Sequence, residues 1–240
     1  MTIRFTGSFK DYQAHNPDAR FTNWLAAKGE PYWTQATSHP FTQAIGDGTM
    51  PSEAYTRYLI EDYTFVTDLA STLGFLVAKA PGMRSKAKLS GFLALLTSEE
   101  NDYFLRSFEA LGVPAGTYEA AAQGPVTRAF SDVLLSASGE GSYADGLVCL
   151  LCAEWCYLSW GQREAAKPRP DQFYLAEWID LHAVSGFETF VNWIRSEMDG
   201  IGPELSGPEQ ETLASLFRRM SRLETAFFEY AWTGKASNLL

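Results

Sequence analysis

The sequence predicts an all-α protein, a multi-helix bundle, on three observations. Apolar residues recur at helical spacing through segments of roughly 15 to 30 residues that end at Pro or Gly stops. No run of about four to eight β-branched residues alternates between turn signals, so no sheet is expected. In three of the helical segments, an acid occupies a place that helix geometry reserves for an apolar side chain.

Taken in order, residues 1–32 are mixed, with a short helix expected from Phe21 to Ala27 and a break at Lys28-Gly29-Glu30-Pro31. A helix is expected from Trp33 to Ile45 despite Pro40, stopping at Gly46-Asp47-Gly48. Pro51 sits in the first turn of the next, which runs to Ala80 and stops at Pro81-Gly82. From Met83 to Leu111 the inner side is marked by Phe92, Leu95, Leu96, Glu99, Tyr103 and Phe108. Glu99 counts inward there, yet Glu100, Asn101 and Asp102 beside it favour a solvated face. Further helices are expected over Pro125–Ala137, Asp145–Ala166, Asp171–Met198 with a weak point at Ser185-Gly186, and Glu209–Trp232, with Gly200–Pro208 as loop.

With 240 residues, 46% of them hydrophobic, the chain can fill one large core, and a single domain over 1–240 is expected. A net charge of −10 without a basic cluster argues against nucleic acid and against anionic membrane surfaces. Neither a signal-peptide core nor a run of 18 apolar residues is present, so a soluble, cytoplasmic protein is expected.

At about 100° per residue, Tyr55, Tyr58, Leu59, Phe65, Val66, Leu69 and Leu73 all fall within about 60° of Asp62. Leu147, Leu150, Leu151, Tyr157, Leu158 and Gly161 surround Glu154 in the same way, and Leu213, Phe217, Met220, Phe227, Phe228 and Ala231 surround Glu224. A carboxylate removed from water is costly unless paired or hydrogen-bonded. One such acid can be a core group satisfied by a Tyr or Trp; three on three helices favour a shared polar pocket.

Metal chemistry is disfavoured, because none of His15, His39 and His182 follows a Glu at the Glu-x-x-His spacing of di-iron bundles. His182 shares a helical face with Trp178 and either lines the pocket or fills space. Cys149, Cys152 and Cys156 project roughly 140° to 160° away from Glu154 and read as core packing. What remains is an acid in an aromatic pocket acting as general base on water, with a second acid bonded to a nitrogen of a flat heterocycle. That chemistry is hydrolysis of a small aminated aromatic.

One motif adds a family. Trp33-(x)5-His39-Pro40-Phe41-(x)4-Gly46-Asp47-Gly48-Thr49-Met50-Pro51, followed by Tyr58-Leu59-(x)2-Asp62-Tyr63, resembles the N-terminal signature of the TenA (thiaminase II) family. The resemblance implies a haem-oxygenase-like all-α fold without haem or other cofactor, a homo-oligomer (dimer or tetramer), and action on the aminopyrimidine half of thiamin or its degradation products. It implies that Asp62 bonds the aminopyrimidine, Phe65 stacks on it, Tyr157 belongs to the central helix and Glu224 moves a proton. The catalytic Cys of the thiaminase branch would fall at Ala153; Glu154, in Glu-x-x-Tyr-Leu, resembles the branch in which a Glu replaces that Cys and aminopyrimidines are salvaged. Val126 and His182 fall where the thiaminase branch has pocket tyrosines. The expectation is therefore hydrolysis of a thiamin-related aminopyrimidine by deamination or deformylation. Its rivals are an oxidase resembling pyrroloquinoline-quinone synthase on the same fold, and a non-catalytic pyrimidine-binding or regulatory protein.

Overall fold

In the computed structural model, which describes residues 3–236, thirteen α-helices surround one cluster of buried apolar side chains, and no strand occurs among the described residues. Residues 1–2 and 237–240 of the expected domain lie outside the described residues. The helices are α1 (Phe9–His15), α2 (Phe21–Gly29), α3 (Tyr32–Thr37), α4 (Pro40–Gly46), α5 (Ser52–Lys79), α6 (Met83–Leu95), α7 (Asn101–Ala110), α8 (Ala115–Tyr118), α9 (Pro125–Gly139), α10 (Tyr143–Ala165), α11 (Phe173–Ala183), α12 (Ser185–Ile201) and α13 (Gly207–Thr233). No helix among the described residues is long and apolar enough to cross a membrane.

The hub is α10. It starts at a capping box, in which the Ser142 hydroxyl accepts from the Asp145 N–H while the Asp145 carboxylate accepts from Ser142. It is buried on almost every side, packed by α9, α11, α12 and α13. Such a helix presents different residues to different neighbours. The thiol of Cys152 meets the Phe217 carbonyl and the Ser221 hydroxyl on α13, as expected of core packing, while Glu154 faces α5 and α11.

Four expectations change. The stretch from Trp33 to Ile45 is two helices, because Pro40 lacks an N–H and drives its predecessor out of helical geometry. His39 is extended there (ψ 142°) and its Nδ1 accepts from the Phe41 N–H, capping α4. The mixed N-terminal segment contains α1, started by a Ser8/Asp11 capping box. The break expected at Ser185-Gly186 falls at Val184, extended between α11 and α12.

The fourth change bears on the site. The helix expected over Met83–Leu111 is interrupted by a π-turn at Leu96–Glu100, between α6 and α7. Thr97 and Ser98 donate their hydroxyls back to the Leu93 and Ala94 carbonyls, competing for the acceptors of the regular ladder. One extra residue in the turn sets the register back by roughly 100°. Leu95, expected inside, is exposed; Glu99 is exposed as its charged neighbours favoured, and Glu100 turns inward.

Close approach of α10 and α11 depends on Gly161. A Cβ there would stand 2.8 Å from both the Cβ and the carbonyl oxygen of His182. Because the obstacle includes backbone, Gly161→Ala is expected to destabilise the fold by about 1–3 kcal/mol. Urea unfolding of the variant checks this; an unchanged midpoint would mean that the two helices part freely.

Candidate active site

A cleft of about 350 Å³ opens between α5, α10, α11 and the α6–α7 segment. Asp62 and Phe65 reach it from α5, Ala153, Glu154 and Tyr157 from α10, Trp178 and His182 from α11, and Glu100 from the π-turn. Five of the residues singled out from the sequence, Asp62, Phe65, Glu154, Tyr157 and His182, thus share one wall-to-wall space. Val126 does not line it, being fully buried on α9.

Glu224 does not line it either. Its carboxyl is wholly buried on α13, with neither oxygen hydrogen-bonded. Its charge is felt by Tyr157, Cys152 and Cys156, which bracket position 153 around α10, and by no cleft-lining cation. Glu224 is therefore outside the cleft lining, yet within electrostatic reach of Asp62 and Glu154.

The acids are unusual in their ionisation. Burial raises Asp62 to about 7, against which a hydrogen bond from Tyr58 works, and burial plus the nearby Asp62 charge raises Glu154 to about 8. Glu224 and Glu100 are pushed well up by burial first and by the charges of Asp62 and Glu154 second. Since the shifts of Glu154, Glu224 and Glu100 each include the Asp62 charge, the four carboxyls form one electrostatic group centred on Asp62. Among the described residues no three Asp, Glu, His or Cys side chains are close enough to hold a metal ion.

A hydrogen-bonded chain fixes the floor. Trp178 donates its indole N–H to the Tyr58 hydroxyl (3.0 Å), which lies 3.1 Å from the Tyr157 hydroxyl and reaches Asp62. With Trp178 and Tyr157 donating, Tyr58 has its one proton left for Asp62. His182 donates from Nδ1 to the Trp178 carbonyl (2.9 Å), which leaves Nε2 as an acceptor, and burial lowers the ring to about 4 so that it stays neutral. Its ring packs edge-on to Trp178 at 4.4 Å and against Tyr157 at 4.9 Å. Phe65 is braced by Phe130 (4.6 Å), leaving an aromatic face at the cleft.

The three thiols play no part in this space: none lines it, and burial raises all three. Of the cleft-lining polar groups, Glu100 was the one missed from the sequence. The Thr97-Ser98 pair, whose hydroxyls back-bond to the preceding turn, was the available signal.

Taken together, an all-α bundle with acids and aromatic rings around a cleft between its central helices defines a small-molecule site of the kind that helical enzymes build in their cores. The chain belongs to the TENA/THI-4/PQQC family, whose model matches residues 26–234. It is 27% identical over 219 residues to the aminopyrimidine aminohydrolase of Halalkalibacterium halodurans, covering 91% of this chain and 98% of that protein. It is 23% identical to the aminopyrimidine aminohydrolase of Helicobacter pylori, covering 88% and 98%. Among solved structures, the TenA homologue of P. horikoshii OT3 superposes with a TM-score of 0.81 at 22% identity, covering 90% of this chain and all of that one. A TenA family transcription regulator from Silicibacter sp. TM1040 gives the same TM-score at 23% identity, covering 91% and 99%. These two likenesses bear on the fold, which is the haem-oxygenase-like all-α bundle expected above.

Proposed function

We propose that this protein is a hydrolase of a thiamin-related aminopyrimidine, removing an exocyclic amine or formamide by attack of water. The observation that carries the reading is the single cleft in which Asp62 and Glu154 face an aromatic wall while Ala153, at its edge, offers no nucleophile. Asp62, held by Tyr58, accepts from an amino or protonated ring nitrogen of the pyrimidine. Phe65 stacks on the ring, with Tyr157, His182 and Trp178 completing the pocket, while Val126, buried on α9, supports substrate binding indirectly.

Glu154 is the general base. At about 8, its carboxyl is basic enough to take a proton from water and ionised enough near neutrality to do so. Glu224 acts as a proton store outside the cleft lining, its unpartnered buried carboxyl being favoured in the neutral form. The reading also takes the protein as a cytoplasmic single domain over 1–240 that assembles as a dimer or tetramer. Curated relatives that carry the aminohydrolase name along nearly their whole length support the reaction class.

The test is release of ammonia from the aminomethyl derivative of the thiamin pyrimidine, and of formate from its N-formyl form, with thiamin as control. Turnover of either pyrimidine with thiamin at least about 100-fold slower is expected, since a lost positioned nucleophile costs on that scale. Equal cleavage of thiamin would overturn the reading of Ala153. Tight pyrimidine binding by calorimetry without turnover would instead identify a binding protein.

A further inference from the structure

A second, larger space of about 1020 Å³ lies outside the cleft, walled by Phe92, Leu181, His182, Phe187 and Phe190 and rimmed by Lys88 and Glu99. Phe92, His182 and Glu100 line both spaces, so they form the passage between them. Glu100 alone among the acids borders both: Asp62 and Glu154 line only the inner cleft, Glu99 only the outer space, and Glu224 neither.

The backbone turns to put it there. Without the π-turn at Leu96–Glu100, the inward position would belong to Glu99, and a π-turn inserted into a helix is frequently a mark of function. Among the described residues nothing donates a hydrogen bond to the Glu100 carboxyl, although it faces a cleft that already contains two acids. An inward acid with no protein partner, held next to like charges by a distorted turn, lacks a structural reason for its place.

Resting on the hydrolase reading above, we infer that Glu100 is a further catalytic residue, the general acid that protonates the departing amine at the passage from the cleft to the outer space. With the ring held at Asp62 and Phe65 on α5, the substituent that is to leave extends past Glu154 toward the passage, where Glu100 meets its nitrogen. In the step, a water oxygen bonds to the exocyclic carbon and gives a proton to the Glu154 carboxylate. The carbon–nitrogen bond breaks, its electron pair stays on nitrogen, and the Glu100 carboxyl supplies the proton that lets ammonia depart. Glu154 ends protonated and Glu100 ionised, so proton transfer between them through solvent restores the starting state. Burial and the neighbouring charges favour the protonated form of Glu100 before the step, as a donor requires.

The experiment compares Glu100→Gln with the unaltered protein on one pyrimidine bearing leaving groups of falling basicity: ammonia, a weakly basic aniline, and pyridine from a pyridinium, which needs no proton. For ammonia, kcat is expected to fall about 100-fold with KM within about twofold, and the defect to shrink along the series to less than about threefold for pyridine. Equal losses with every leaving group, a raised KM with kcat kept, or no loss would each overturn the assignment. A thermal melt within a few degrees of the parent excludes misfolding; if Glu100→Gln does not fold, Glu100→Asp is compared along the same series. If the unaltered protein turns over no aminopyrimidine, the hydrolase reading falls and this assignment with it. An active parent with an indifferent Glu100→Gln removes Glu100 alone.

Discussion

Glu154→Gln is expected to lower kcat by about 10³-fold while leaving pyrimidine affinity nearly unchanged. The amide keeps the size and part of the polarity of the carboxyl but cannot take a proton from water. Ring recognition rests on Asp62 and Phe65, which belong to a different helix and are braced independently, Asp62 by Tyr58 and Phe65 by Phe130. Binding and turnover should therefore separate in this variant, measured by calorimetry with the pyrimidine and by ammonia release under saturating substrate. The control is Cys152→Ala, which removes a thiol bonded to Phe217 and Ser221 on α13 and is expected to keep the parent rate within about threefold. A thiol variant as inactive as Glu154→Gln would place a nucleophile where the present geometry has none. Parent-like turnover by Glu154→Gln would remove the base.

Where sequence periodicity was regular, it located side chains correctly. Asp62, Phe65, Glu154 and Tyr157 lie on long uninterrupted helices, so a constant 100° step carries the count from their apolar neighbours to the cleft without accumulated error. His182 was left between lining and filling, and it lines. The count failed where the helix itself is irregular: the π-turn exchanged Glu99 for Glu100, and Pro40 split one expected helix in two. A different limit applies to Glu224. Its inward direction was legible, but whether an inward acid reaches an open space or stops behind another helix depends on how α13 lies on α10, which periodicity along one helix does not encode. The TenA-like motif supplied the family, and it did not reveal Glu100, which lies outside the quoted motif positions.

Stability and turnover should respond to pH in opposite directions. In the unfolded chain carboxyls titrate near 4, whereas in the fold Asp62 titrates at about 7, Glu154 at about 8, and Glu100 and Glu224 well above their ordinary values. Between these limits the native state binds more protons than the unfolded one, so stability falls as pH rises. The contribution is fully present below about pH 4 and is lost as pH climbs through the folded values. His182 opposes this at the acid end: its folded value of about 4 lies below the ordinary 6.5, so its contribution is present above 6.5 and lost as pH falls toward 4. Burial lowers His39 in the same sense, and below 6.5 the several acids outweigh the two imidazoles, while above it the acids dominate. The unfolding free energy should therefore drop most clearly from pH 6.5 to 8, at about 1.4 kcal/mol per pH unit for each acid still protonated in the fold. Over the same interval kcat/KM should rise, reaching about half its plateau near pH 8, because a general base works only when ionised. Urea unfolding at pH 6.5 and 8 in the parent and in Glu154→Gln joins the two effects: the amide does not titrate, so the variant should show a shallower loss. A parent whose unfolding midpoint is flat across that interval would mean that the cleft admits enough water to keep its carboxyls near ordinary values, and the base would then lose the basicity its role requires.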